Sequence, residues 1–558
     1  SNGLVLTLGN AVVLGAGTIV LDLQGDTGPV FFADGSVSFT GTDLALNGVI
    51  SGAGALSIVD GGRVNLNGAN SYSGGTTVNS SVVFVGTDTA FGTGDVAVQG
   101  ANGMILGNNS GALRTLANNI NLNSFMVVTG PNDITLNGVI SGAQNVSKAS
   151  TSTLTLNGVN TISGFTSLFG GRITVGNNSA LGTSILNVFG VGQTTTLAAG
   201  TNGLALANNV ILNTPSNLIV ESGTGSFTLN GVISGGGSLT KIQSGTLVLN
   251  GANTYTGGTA LNVGTIQVGT NTALGTSTLA MADATTLQAG VDGLVVANAI
   301  TTAGAGTVDT QGFTFTLNGV IGGAGSIAKI GSGNLVLNGA NTYTGGSFIN
   351  AGTVTAGNNT AFGTNTVTMA NGTTLANNTD NLVIANNFSI GNVTVATGAN
   401  TFTMNGVVSG AGLMTKTGSG NLVLNGANTY TGGTALTAGT ITVGNNTALG
   451  TAGLTMSDGT FLVAGVDGLT VANGITTLGV GTVNTNAFTF TLNGVIGGAG
   501  SVVKTGSGNL VLNGLNTYTG GTALNDGTIT AATNSALGSG TLTMAGGTTL
   551  TSAVNVAS

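Results

Sequence analysis

The sequence predicts an all-β fold, a single parallel β-helix (β-solenoid) with about 22 residues per coil. Three observations predict it. Short runs rich in β-branched residues or Leu, such as LTLNGVI, GNLVLNG and GTITVGN, recur throughout and end at Gly, Asn or Asp, as strands followed by turns do. The same marks return at a near-constant interval, and sustained 3.6-residue periodicity is missing. The composition suits stacked strands: 101 Gly, 3 Pro, no Cys, His or Trp, and only 4% charged residues in a chain of 558 that is 41% hydrophobic.

The repeats come in order along the chain. LNGVI begins at Leu46, Leu136, Leu229, Leu317 and Leu492, and MNGVV at Met404, which marks six super-repeats of about 88 residues starting near 46, 136, 229, 317, 404 and 492. Twenty residues after each mark a second LNG begins, at Leu66, Leu156, Leu249, Leu337, Leu424 and Leu512. All five tyrosines, Tyr72, Tyr255, Tyr343, Tyr430 and Tyr518, take one position six residues further, and Ile162 takes it in the second copy. An Ala-Asn mark comes later in five of the periods, at Asn118, Asn208, Asn298, Asn386 and Asn473. Twenty residues are too few for a propeller blade of about 40 and fit one coil of a solenoid. Four coils of about 22 residues then make the period, so each Tyr is expected four coils from its copy, in one continuous stack of roughly 25 coils.

Stacking explains the composition. Each residue lies over its counterpart one coil away, so a charge at a fixed position would repel its copy. Asn tolerates left-handed turns and stacks amide on amide. Gly supplies positive φ at corners. Pro would remove a ladder donor.

Several function classes are disfavoured. A net charge of −8, from 16 acids and 8 bases, does not suit binding to nucleic acid. No apolar run approaches the length of a membrane-spanning helix, roughly 18 residues or more. The 19 Phe and 5 Tyr do not form the girdles of a transmembrane barrel. Without His or Cys there is no Ser-His or Cys-His nucleophile and no His or Cys metal site. No phosphate-binding loop or calcium nonapeptide is present, and no cofactor is expected. The acids are scattered singly. Asp292 and Asp467 stand in VDGL turns where an Asp serves as a backbone cap, and Asn202 stands in the comparable TNGL. No catalytic residue is assigned. A polysaccharide-active β-helix enzyme, which needs two carboxyls about 5–10 Å apart, is the remote alternative.

The stretch GSGNLVLNGANTYTGGTALTAGTITVGNNTALG, from Gly418 to Gly450, resembles the passenger-associated transport repeat of bacterial autotransporters. Copies recur at Gly245 to Gly275, Gly333 to Gly363 and Gly508 to Gly538, and degenerate ones begin near Gly62 and Ser152. The resemblance implies an exported β-helix at a Gram-negative surface, similar to the rickettsial surface antigens, carried across the outer membrane by a C-terminal barrel. The chain begins at Ser1 and shows no signal peptide.

Two sets of residues are candidate contact sites. All the lysines, Lys148, Lys241, Lys329, Lys416 and Lys504, fall twelve residues after the first residue of LNGVI or MNGVV, and Ile58 takes that place in the first copy. They are expected on the surface, either as edge charges that block lateral strand pairing or as a row facing a polyanion or an acidic neighbour. The tyrosines are expected as a structural corner, with glycan stacking as the functional alternative. Arg63, Arg114 and Arg172 follow no repeat.

Together these features predict a non-catalytic, extracellular structural solenoid of the bacterial surface: a fibre, surface-layer or stalk subunit. An adhesin that binds host or neighbouring cells is the alternative. The expected partner is a second copy, stacked laterally or head-to-tail. The 45 residues before Leu46 resemble the continuation that the last copy lacks after Ser558, and a contact of that kind does not close on itself.

Overall fold

The computed structural model describes residues 43–59 and 61–553, together with the strands Leu6–Leu8, Val12–Leu14, Thr18–Asp22, Val30–Phe31 and Val37–Ser38. Every regular element among them is a strand, and the fold is a parallel β-solenoid. The chain divides into two compact units, Ser1–Thr285 and Thr286–Ser558. The contact expected between Ser558 of one copy and the N-terminus of the next falls on terminal residues that lie largely outside those described.

In the first unit a fifteen-stranded sheet includes strands from Leu6–Leu8 to Ile233–Gly235. In the second, sheets of eleven, nine and five strands start at Leu294–Val296, Leu382–Ile384 and Leu469–Val471. A coil there has three sides. The strands Phe402–Met404, Val408–Ser409 and Met414–Thr417 follow one another along the chain and belong to three different sheets.

Strands alternate because one parity faces inward. Asn334–Leu337 and Asn421–Leu424 bury their second and fourth residues, and Leu249, Leu337, Leu424 and Leu512 are all core residues. Stacked apolar side chains fill the interior, and the hydrophobic effect supplies roughly 1.5–3 kcal/mol for each large one buried. On the outer side the paired LNG and MNG marks form the expected amide ladders. Asn67 donates to Asn47, Asn157 to Asn137, Asn338 to Asn318 and Asn425 to Asn405, each at 2.8–2.9 Å.

The relation between coil and period differs from the expected one. One column of the second unit runs Leu294, Phe315, Leu335, Val354, Leu375, Val395, Lys416, Leu436, Met456, Thr477. Its nine registered steps average about 20 residues, one coil of a stacked repeat each. A period of about 88 is therefore not a whole number of coils. It is four coils and one further side. Four steps below Lys416 stands Leu335, not Lys329. Four steps below Lys504 stands Leu422, not Lys416. Lys329, Lys416 and Lys504 therefore lie in three different sheets, on successive sides of the prism. The starts of the three sheets, 88 and 87 residues apart, record the same rotation.

Candidate functional site

The recurring residues converge on one local arrangement per super-repeat, a side of the prism where two coils carry no strand. In the second unit the short strand Ile321–Gly322 ends one sheet. The segments around Asn341 and Ala361 then cover that side as turns, and Leu382–Ile384 begins the next sheet above them. Isolated backbone bonds such as Thr342 N–H to the Ile321 carbonyl still link the coils there, and buried side chains add to them. Asn341 accepts the Ile321 N–H at 2.8 Å through its Oδ1 and donates through Nδ2 to the Ala361 carbonyl at 2.7 Å. One buried amide thus joins three coils. Asn428 does the same between Val408 and Ala448, and Asn516 between Ile496 and Ala536. The Ala-Asn mark adds a fourth level, where Asn386 donates to the carbonyls of Gly363 and Asn365.

Each Tyr is fully buried beside this Asn. Tyr343 meets Ser347 at 2.6 Å and Tyr430 meets Thr434 at 2.5 Å; Ser347 and Thr434 in turn donate to the Phe362 and Leu449 carbonyls one coil on. The hydroxyl four residues after Tyr is therefore already a donor, and the phenol donates to it. Burial pushes the Tyr72, Tyr343 and Tyr430 phenols up to about 12. With no exposed ring surface, these tyrosines do not form a stacking platform for sugars. Ile162 is buried at the same position.

The lysines are not on the surface. Lys148, Lys241, Lys329, Lys416 and Lys504 are each at most 1% exposed. This excludes both the blocked edge and the row facing a polyanion. The reason is strand parity. In Ser326–Ile330, Lys329 shares the inward face with Ile327, and in Met414–Thr417, Lys416 shares it with Met414. The alkyl stem lies in the core and the ammonium emerges at a corner, where backbone carbonyls receive it. Lys329 donates to Ile330, Gly331 and, one coil above, Ala351 at 2.7–3.1 Å. Lys416 donates to Thr417, Gly418 and Ala438 at 2.8–3.2 Å, and Lys504 to Thr505, Gly506 and Asp526 at 2.6–3.1 Å. Burial lowers Lys241, Lys329, Lys416 and Lys504 to about 8 and Lys148 to about 7. Three carbonyl acceptors are what make a buried ammonium tolerable.

The remaining charges serve local geometry. Asp292 caps the Thr314 N–H at 2.7 Å and Asp467 the Thr489 N–H at 2.8 Å. Arg172 pairs with Glu221 at 2.5 Å, Arg114 lies 3.9 Å from Asp88, and Arg63 sits over the Phe84 ring. Among the described residues there is no cluster of three or more potential metal ligands, and no helix is long and apolar enough to cross a membrane. A shallow groove of about 430 Å³ in the first unit is lined by Ser238, Thr240, Gly257, Gly258, Ser277 and Thr278, among other uncharged residues. It holds no carboxylate pair. On the outer surface the Val of LNGVI stands exposed, as in Val320 and Val495.

Sequence reasoning missed the buried Asn of the ANTYT mark and the burial of Lys. The signals were present: Ile321, Asn341 and Ala361 are spaced by one coil, and Lys416 falls on the parity of Met414.

Comparison with known proteins agrees with this geometry. The passenger-associated transport repeat is matched six times, at residues 59–80, 146–175, 239–268, 327–356, 414–443 and 502–531. Together the six matches cover about a third of the chain. In five of the matches the third residue is the buried Lys, and each of those five spans a Lys, a core LNG strand and a stitching Asn. The chain is also 29% identical over 578 residues to an adhesin, the BmaC autotransporter of Brucella suis biovar 1 (strain 1330). That alignment covers 88% of this chain and 16% of the adhesin. No solved structure matches.

Proposed function

We propose that this passenger segment is a non-catalytic shaft, a structural solenoid that holds other parts of a surface protein away from the cell. The observation that supports it is the destination of the recurring polar groups. In the second unit the stitching Asn and the Lys ammonium are buried and bonded to the backbone of an adjoining coil, and the buried Tyr hydroxyl bonds to a Ser or Thr hydroxyl that itself donates to backbone one coil on. Repetition of these buried groups serves coil-on-coil stacking. Each super-repeat adds the same stitches, so length and stability grow together.

Similarity to an adhesin favours a second reading, in which the sides of the solenoid themselves contact host or neighbouring cells. Purified 1–558 distinguishes the two. The shaft reading expects no saturable binding to cultured host cells or to intact bacteria, and no glycan-hydrolysing or lyase activity on a polysaccharide panel. Saturable binding that competes with unlabelled protein overturns it in favour of the adhesin. Turnover of any polysaccharide overturns the non-catalytic assignment.

A further inference from the structure

Asn-Gly is the dipeptide most prone to lose its amide, because Gly offers no side chain to hinder attack by its own backbone nitrogen. The LNG and MNG marks place this dipeptide twice in every super-repeat. The ladders hold those amides still. Asn250 donates to Asn230 at 2.9 Å, and its own oxygen abuts Gly269 one coil above, 2.2 Å from where a β-carbon would stand. The hydrogen bond is what ties this amide down, since Asn202 too lies against a Gly one coil above, Gly225.

Asn202-Gly203 is different. Thr201, Asn202 and Gly203 are all exposed, and Gly203 has a φ of +79° with open space around it. Among the described residues no hydrogen bond engages the Asn202 side chain. The equivalent turns show what is missing. Gly203 donates to Ser226 as Gly293 donates to Thr314 and Gly468 to Thr489. In those two turns an Asp precedes the Gly, and its carboxylate also accepts the Thr314 or Thr489 N–H.

We propose that Asn202 is a spontaneous deamidation site that converts its turn to the acidic form carried by Asp292 and Asp467, while the laddered Asn-Gly pairs are protected. Brief opening of the exposed turn releases the Gly203 N–H. The Gly203 nitrogen then bonds to the Asn202 Cγ, the bond from Cγ to Nδ2 breaks, and ammonia leaves as a cyclic imide forms. Water opens the ring at either carbonyl. Both products, aspartate and isoaspartate, carry a carboxylate where the amide was.

The test is peptide mapping by mass spectrometry of folded 1–558 held in mildly alkaline buffer, beside the same protein in denaturant. The expected result is conversion at Asn202 at least about tenfold faster than at Asn230 or Asn250 when folded, with the three rates converging when unfolded. Equal rates in the folded protein, or conversion of the ladder first, overturn the proposal. A second arm uses Asn202→Asp. Slower hydrogen exchange at the Ser226 amide is expected from the new cap, and unchanged or faster exchange overturns the assignment of the acidic form.

Discussion

The ring of Tyr430 lies beneath the α-carbon of Gly450, one coil on. A β-carbon at Gly450 would stand 2.5 Å from the Tyr430 carbonyl oxygen and 3.0 Å from two ring atoms, and Gly450 has a φ of +70°. Gly363 over Tyr343 repeats the relationship. The Gly that closes each ALG or AFG mark therefore sits against the residue twenty before it, Tyr in five copies and Ile162 under Gly182 in the second. Gly450→Ala is expected to cost roughly 2–4 kcal/mol, since overpacking and left-handed strain act together. A lowered urea midpoint with an unchanged far-ultraviolet spectrum checks it, and a midpoint within error of the parent contradicts it.

Asn428→Ala removes both halves of a three-coil stitch. The Val408 N–H and the Ala448 carbonyl lose their partners while buried, at about 1–3 kcal/mol each. Because a repeat stack unfolds locally, the sharpest readout is hydrogen exchange at the Val408 amide, which should speed by two or more orders of magnitude, in keeping with a loss of about 3 kcal/mol. Protection left intact would mean that the amide does not carry the stitch.

Lys416→Met keeps the core stem and removes the ammonium. It takes a donor from three carbonyls, of which Thr417 keeps the Thr397 N–H, and is expected to cost roughly 1–3 kcal/mol. Lys416→Glu places a carboxylate against those same oxygens, and a loss of about 3–5 kcal/mol, or local unfolding, is expected. If Glu is tolerated as well as Met in thermal unfolding, the lysine is not buried on those carbonyls.

Stability should depend on pH in an unusual way. Lys241, Lys329, Lys416 and Lys504 fall from 10.5 in the unfolded chain to about 8 when folded. Between those values the unfolded chain binds more protons, so stability rises with pH from about 8 to about 10.5. The tyrosines move the other way, from 10.0 to about 12 for Tyr72, Tyr343 and Tyr430. Above pH 10 the unfolded chain loses those protons first, and stability falls. With no His in the sequence, no imidazole titrates near neutrality. Chemical denaturation at a series of pH values should give a maximum near pH 10, and a maximum at pH 6–7 would show that the ammonium and phenol groups are not buried as described.

Removing one whole super-repeat, residues 404–491, should leave a folded protein. Met404 stands on Ile384 and Leu492 on Val471, so after the deletion Leu492 stands on Ile384 in an equivalent seat. Deleting the twenty residues 426–445 instead removes Asn428 and strands the Val408 N–H. Thermal midpoints should stay within a few degrees for the first deletion and drop clearly for the second. The opposite order would show that the super-repeat is not the structural module.

Much of the fold was legible in the sequence because period-two alternation reports directly on which side of a strand faces the core. Leu424 and Leu512 followed from it. The lysines did not, because charge was read ahead of parity: Lys416 lies two residues from Met414 and must share its side. The stitching Asn escaped because it acts across turns, where no alternation marks the inward direction, and its partners are a coil away in both directions. The rotation of successive copies escaped because a period of 88 looks like four coils until strand register, stepping from Leu335 through Val354, Leu375 and Val395 to Lys416, shows how short one coil is.

That extra third of a turn has a consequence for anything that meets the second unit from outside. Its copies at 317, 404 and 492 present the same stitched patch, with its exposed Val320 or Val495, to three different compass bearings. A ligand or antibody raised against one copy finds its target whichever way that stretch is turned.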